Sequence, residues 1–167
     1  MSKNKPVVVI GLMGSGKTTV GRLIADALHL PLSDSDPFLR ARYGGTAKEI
    51  AAREGADVLH HYEAQHVLLE LDGEPKVIAA AASTVEDPRV RTALREVFVV
   101  WLDADDAVLA ERMKSGDHRP GFDPKVMRAR REPFFKEVAD VHCDVGVLRP
   151  EQVRDEVLRE MRSRGLA

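Results

Sequence analysis

Residues 11–18 read Gly-Leu-Met-Gly-Ser-Gly-Lys-Thr, a match to GxxxxGK[ST] that few folds can accommodate. Such a loop works where a strand delivers it and a helix leaves it. Its backbone N–H groups then converge on an anion at the helix's positive end. Both flanks are present. Residues 6–10 (PVVVI) form a short apolar run, and residues 17–29 carry Val20, Leu23, Ile24, Ala27 and Leu28 at helical spacing. Gly11, Gly14 and Gly16 permit unusual backbone angles and keep side chains out of the phosphate's way. Ser15 and Thr19 complete the expected phosphate-binding set. Lys17 is expected to bridge the β- and γ-phosphates of a nucleotide and Thr18 to ligate Mg²⁺ through its hydroxyl.

Short β-like runs at 30–33, 76–80, 97–102 and 141–145 alternate with helical patterns at 37–43, 46–53, 56–71, 105–114, up to about 138, and 150–162. Together with the first strand this predicts five strands in a parallel sheet flanked by helices, a three-layer α/β fold. The 167 residues suit one domain, with no repeat or low-complexity segment. Hydrophobic residues at 44% and charged residues at 31% exclude wholesale disorder. No apolar run approaches the length of a membrane span. A net charge of −2 lacks the basic excess of a non-specific nucleic-acid binder. Cys143 is the one cysteine, so no internal disulfide forms, and it is expected to be a buried strand residue. These features favour a soluble, cytoplasmic chain, expected to be monomeric, without a nucleic-acid or membrane partner.

Asp34-Ser35-Asp36 follows the second strand and should lie beside the phosphate loop, where ligands sit in open α/β sheets. One of the two carboxylates is expected to hold Mg²⁺ and the other to orient an acceptor hydroxyl and take its proton as the new bond to phosphorus forms, with Asp34 assigned to the metal and Asp36 to the hydroxyl. Asp36 followed by Pro37 also fits an N-cap and first-turn pair, a role compatible with that chemistry.

With those pieces in place, the chain resembles the shikimate kinase family from about residue 7 to residue 150. The resemblance rests on GLMGSGKTTVGRLIADAL (11–28), LSDSD (32–36), VIA (77–79), VVWLD (99–103), HRP (118–120) and REPFFKEVAD (131–140). It implies a fold like that of nucleoside monophosphate kinases, with ATP and Mg²⁺ as cofactors and a small hydroxylated molecule as acceptor. It also implies acceptor-binding helices over residues 36–72 and a lid over about 115–124. By position, Arg119 would be the lid arginine that stabilises charge during transfer, and Lys17, Asp36 and Arg119 the catalytic set. Arg112 and Pro150 would flank adenine. Arg131 would hold an acceptor carboxylate.

The chain departs from the family pattern on the acceptor side. Ala81, Ala82 and Ser83 stand where the family places three glycines against the acceptor ring, and His60 stands at a carboxylate-gripping arginine. Each added β-carbon takes space from a bound ring, and neutral histidine lacks the guanidinium's permanent charge and fork. These changes point to a shikimate-type kinase acting on shikimate or on a related polyol or sugar acid. Gluconate-kinase-like activity and nucleotide kinase activity are enzymatic rivals, the latter using Arg40, Arg42 and Arg53 for an acceptor phosphate. A regulatory ATP-binding protein without turnover is the non-enzyme rival. His60, His61, Glu63 and His66 do not form HExxH, so metal binding there is not expected. Arg128, Arg130 and Arg131 make a basic stretch expected to be mostly a solvated helix face.

Overall fold

Val7–Ile10 form the first strand, β1, and all four residues are buried, as an uninterrupted apolar run requires of a strand covered on both faces. In the computed structural model, which describes residues 5–114 and 123–167, β1 is the middle strand of a five-stranded sheet. The others are β2 (Leu32–Asp34), β3 (Val77–Ala79), β4 (Phe98–Asp103) and β5 (Val141–Asp144), in the order β2-β3-β1-β4-β5. All pairs are parallel, with Val7 opposite both Val77 and Phe98. The predicted five-stranded parallel α/β sheet is therefore present.

The chain leaves β1 for β2 on one side of β3 and later returns to β4 on the other side of β1. That reversal opens a crevice at the carboxyl ends of the strands. The phosphate loop lies at the end of β1 and Asp34 at the end of β2, with β3 between them. Sheet order alone thus brings two distant sequence segments to one edge.

Helix α1 (Lys17–Leu28) packs Val20, Ile24 and Ala25 onto the sheet. Helices α2 (Ser35–Tyr43), α3 (Ala47–Glu54) and α4 (Ala56–Leu71) build a smaller layer around Leu39, Ile50 and Leu59, all at 0% exposure. Tyr43 and Tyr62 stack beside it with centroids 3.7 Å apart. Thr46 and Glu49 close a capping box at the start of α3. Residues 36–72, expected to bind the acceptor, therefore have a core of their own.

Two local expectations are corrected. Helix α2 begins at Ser35 with Asp34 at its N-cap, so Asp36 lies within the first turn and is not the cap. The Asp-Pro signature instead operates at Asp87-Pro88, where Asp87 Oδ1 accepts the Arg89 amide at 2.8 Å. This cap starts α5 (Pro88–Leu94), and α5 and the 3-10 turn Ala82–Glu86 before it were not predicted.

Helix α6 (Asp106–Met113) follows β4, α7 (Pro124–Val138) precedes β5, and α8 (Pro150–Ser163) packs against α1. The basic stretch on α7 is not mainly a solvated face. Arg128 bonds Asp103 at 2.9 Å, Asp106 at 2.8 Å, Glu132 at 3.2 Å and the Ala104 carbonyl at 2.6 Å. Arg131 is 2% exposed, and only Arg130 is mainly solvated. The Arg128 network anchors α7 to the end of β4 and so places Arg131 against the 3-10 turn after β3. Cys143 is buried as expected, and burial pushes its thiol up to about 11.

His66 sits on α4 beneath β2, fully buried, with Nε2 at 2.8 Å from Ser33 Oγ and Nδ1 without a partner. Burial pushes its pKa down from 6.5 to about 4. Between those values the unfolded chain takes up a proton that the folded chain refuses. Stability is therefore full above 6.5 and declines as pH falls through 4, by an order of about 3 kcal/mol. His66→Gln is expected to remove that component. Denaturant titrations between pH 7 and pH 4 should show a shallower fall in unfolding free energy for the variant, by about one proton's worth. Equal slopes would exclude His66 as the source.

Candidate active site

A cavity of about 530 Å³ opens at the crevice and is walled by the phosphate loop, the start of α2, the start of α3, α4 and the end of β3. Gly14, Gly16, Lys17, Thr18 and Thr19 line it on one side, and Asp34, Asp36, Glu63, Ala81 and Ala82 on the other. Of the sequence-predicted residues, Gly11 and Ser15 lie buried behind the loop.

The loop is built for close approach of an anion. Gly16 holds φ 87° as the N-cap of α1, and Gly14 holds φ 86°. Lys17 Nζ donates to the Gly11 and Leu12 carbonyls at 2.9 and 3.3 Å. Burial lowers the Lys17 pKa to about 8, against the opposing pull of the Glu63 and Asp34 carboxylates and with added repulsion from Arg131. An arriving phosphate supplies the negative charge that keeps this ammonium protonated.

Thr18 Oγ1 donates to Asp34 Oδ2 at 2.8 Å. A hydroxyl and a carboxylate so joined are the hard oxygen donors that Mg²⁺ takes, so the residues present fit that ion. Asp36, in the first turn of α2, shares the cavity with Lys17.

Glu63, weighed in the sequence only as one of a His/Glu group and not placed among the site residues, lines the cavity. It is 4% exposed on α4, accepts a hydrogen bond from Ser83 Oγ at 2.8 Å, and is the foremost carboxylate acting on Lys17. An acidic residue three positions after His60 on a helix aimed at the sheet edge was the available signal.

The remaining predicted residues are less central. Ser83 lies buried behind the cavity, its hydroxyl engaged by Glu63. Arg131 does not line the cavity, and its Nε donates to Glu86 Oε2 at 2.8 Å. His60 is half-buried on α4, outside the lining. Arg112 lines the loop side and bridges the Gly14 carbonyl at 3.1 Å and the Val145 carbonyl at 2.9 Å. Pro150 is exposed at the first position of α8 and does not line the cavity. Arg119 and residues 115–122 of the lid expected over about 115–124 lie outside the described residues, and the last two residues of that range, Asp123 and Pro124, cap and start α7.

The Shikimate kinase family model matches residues 13–162. A shikimate kinase of Symbiobacterium thermophilum is 36% identical over 169 residues, covering 95% of this chain and 97% of that protein. One from Zymomonas mobilis is 31% identical and covers 92% of each. Among solved structures, shikimate kinase from Acinetobacter baumannii in complex with shikimate superposes with a TM-score of 0.91 at 23% identity, covering 99% of this chain and 97% of that one. A gluconokinase from Sinorhizobium meliloti reaches a TM-score of 0.66 at 24% identity, covering 95% and 92%. The sequence match takes in most of the phosphate loop, the aspartate pair and all of α7, and this chain belongs to the shikimate kinase family of ATP-dependent small-molecule kinases.

Proposed function

We propose that this chain transfers the γ-phosphoryl group of ATP to a hydroxyl of a small polyhydroxylated acid, and shikimate is the acceptor that family membership supports first. The observation that carries the reading is the common cavity in which Thr18, bonded to Asp34, faces the same space as Lys17 and Asp36. Bound at Thr18 and Asp34, Mg²⁺ would neutralise phosphate charge.

The chain's own residues supply the rest. Loop amides and Lys17 hold the phosphates in place and offset charge on the group in transit. Asp36 orients the acceptor hydroxyl. As its oxygen bonds to the γ-phosphorus, the bond to the β–γ bridging oxygen breaks, ADP leaves and the hydroxyl proton passes to Asp36. Arg119 is assigned the family's lid role on resemblance. Arg112 is assigned to the adenine end on resemblance, a reading supported by its bridge from the phosphate loop to the β5–α8 connection, and Pro150, which starts α8 after that connection, is assigned there on resemblance too.

A second reading has a specific observation in its favour. Ala81 and Ala82 add side chains to the cavity wall at the acceptor end, and Ser83, buried behind it, is held by Glu63. This favours a related polyol or sugar acid over shikimate. Acceptor-dependent ADP formation decides between the two. The assay should set shikimate beside gluconate, other sugar acids, polyols and nucleoside monophosphates. Turnover of shikimate far above all others supports the first reading, and preference for another polyol or acid supports the second. ATP binding without acceptor-dependent ADP from any compound would leave only a regulatory nucleotide-binding role.

A further inference from the structure

Strand β2 gives its functional residues little support. It has three residues, lies at the edge of the sheet and pairs with β3 alone, yet it ends on Asp34, and Asp36 lies two residues further on. Both aspartates line the cavity. Ser35 between them is buried, and among the described residues its hydroxyl has no hydrogen-bond partner, so it does not tie the segment down. Apart from the Thr18 bond to Asp34, the position of the segment depends on what packs beneath it.

His66 meets that segment at both ends. Its Nε2 is 2.8 Å from Ser33 Oγ, immediately before Asp34, and its ring lies against Phe38, two residues after Asp36, with centroids 4.6 Å apart. It comes from α4, three residues after Glu63, so the helix that brings a carboxylate to the cavity also braces the two aspartates. Orphaned buried N–H groups are rarer than orphaned acceptors, so the proton belongs on Nε2, which donates to Ser33, and Nδ1 carries the lone pair left without a partner among the described residues. Glu70, although opposed by partial burial, is held below its usual pKa by the Ser33 hydroxyl and by Lys76, whose Nζ is 3.4 Å away. A chain of polar contacts thus runs from Lys76 beside β3 through Glu70 and Ser33 to His66.

Folding alone does not call for this pair. Two apolar side chains would fill the space between β2 and α4 without an orphaned nitrogen, and buried polar groups that cost stability are the kind of exception found at functional sites. We propose that His66, acting through Ser33 and Phe38, is a positioning residue that sets Asp34 and Asp36 where metal binding and phosphoryl transfer require them. The proposal rests on the phosphotransferase reading above and deepens it by extending the site to a brace on α4 that touches neither nucleotide nor acceptor.

The experiment uses the full-length protein with His66→Leu, which keeps the space filled and removes the bond, and His66→Gln, whose amide nitrogen reaches the place of Nε2. His66→Leu should raise the Mg²⁺ concentration for half-maximal rate and lower kcat, each by about tenfold. Its melting temperature and its affinity for a non-hydrolysable ATP analogue without Mg²⁺ should be no lower than those of the wild type. His66→Gln should recover most of the lost rate. Ser33→Ala should reproduce the kinetic change, and the double variant Ser33→Ala with His66→Leu should add nothing to it. A folded His66→Leu protein with the wild-type Mg²⁺ dependence overturns the proposal. So does a Gln variant as slow as the Leu variant, or losses that add up in the double variant. Should His66→Leu fail to fold, Ser33→Ala decides by the same readings. If the wild type binds ATP but phosphorylates no acceptor, the phosphotransferase reading fails, and the gain in analogue affinity on adding Mg²⁺ replaces the rate as the readout. Loss of that gain in His66→Leu with recovery in His66→Gln supports the brace, and its persistence, or its absence from the wild type, overturns it.

Discussion

Asp36→Asn is expected to lower kcat by about 100-fold or more while leaving ATP affinity within a few-fold of wild type. The substitution keeps the side chain's size and its place in the first turn of α2, but removes the carboxylate proposed to receive the acceptor's proton. Loop glycines, Lys17 and Thr18 on α1 are untouched, which is why nucleotide binding should persist. Steady-state rates with a saturating acceptor, together with ATP titration by calorimetry, separate the two effects. Asp34→Asn makes an informative contrast. That carboxylate is tied to Thr18, and its loss should raise the Mg²⁺ concentration needed for half-maximal rate. Unchanged kcat in the Asp36 variant would remove it from the proton-transfer role and leave it as a helix-turn residue.

Gly11→Ala should destabilise the fold by about 2–4 kcal/mol and abolish tight ATP binding. A β-carbon there would collide with the Leu102 backbone carbonyl and lie 2.7 Å from Ser15 Oγ, at a φ of 150°. Neither obstacle can swing aside, because Leu102 belongs to β4 and Ser15 is 1% exposed beneath the loop. Relief requires moving the loop away from the sheet, which also spoils the convergence of its amides. For a chain of this size the melting temperature should drop by roughly 5–15 °C. Gly44→Ala is the control. Its φ of 74° is also positive, but a β-carbon there meets nothing within 4 Å, so only the backbone cost of about 1–2 kcal/mol remains. Similar losses in the two variants would mean that steric closure behind the loop is not what Gly11 provides.

Those two positions differ in how far sequence reasoning could reach. The phosphate loop is contiguous, and its glycines, lysine and threonine act within one turn of each other. Strand, loop and helix were therefore legible together. Helix α4 was also legible, its predicted bounds of 56–71 matching Ala56–Leu71. The Asp-Pro signature was ambiguous because a cap depends on where the preceding strand ends. After β2 the helix starts two residues earlier than expected, at Ser35, whereas at Asp87 the same pair forms a true cap. The turn and helix between β3 and β4 lacked a long apolar period to reveal them.

The acceptor side was less legible for a different reason. Glu63, Ser83, Glu86 and Arg131 come from α4, the 3-10 turn and α7, and nothing in their local sequence announces which of them pair. Packing decides that Ser83 is spent on Glu63 and Arg131 on Glu86, and that Arg40 and Lys48 line the cavity. Burial then changes the groups themselves, drawing the Lys17 pKa down to about 8 and that of His66 to about 4. What the amino-acid order determined by itself was the phosphate-binding half, because short-range backbone geometry and residue type suffice to build it. What the tertiary structure alone decided was the charge pattern facing the acceptor, because that pattern arises from side chains far apart in sequence whose neighbours and solvation are set only when the helices close over the sheet.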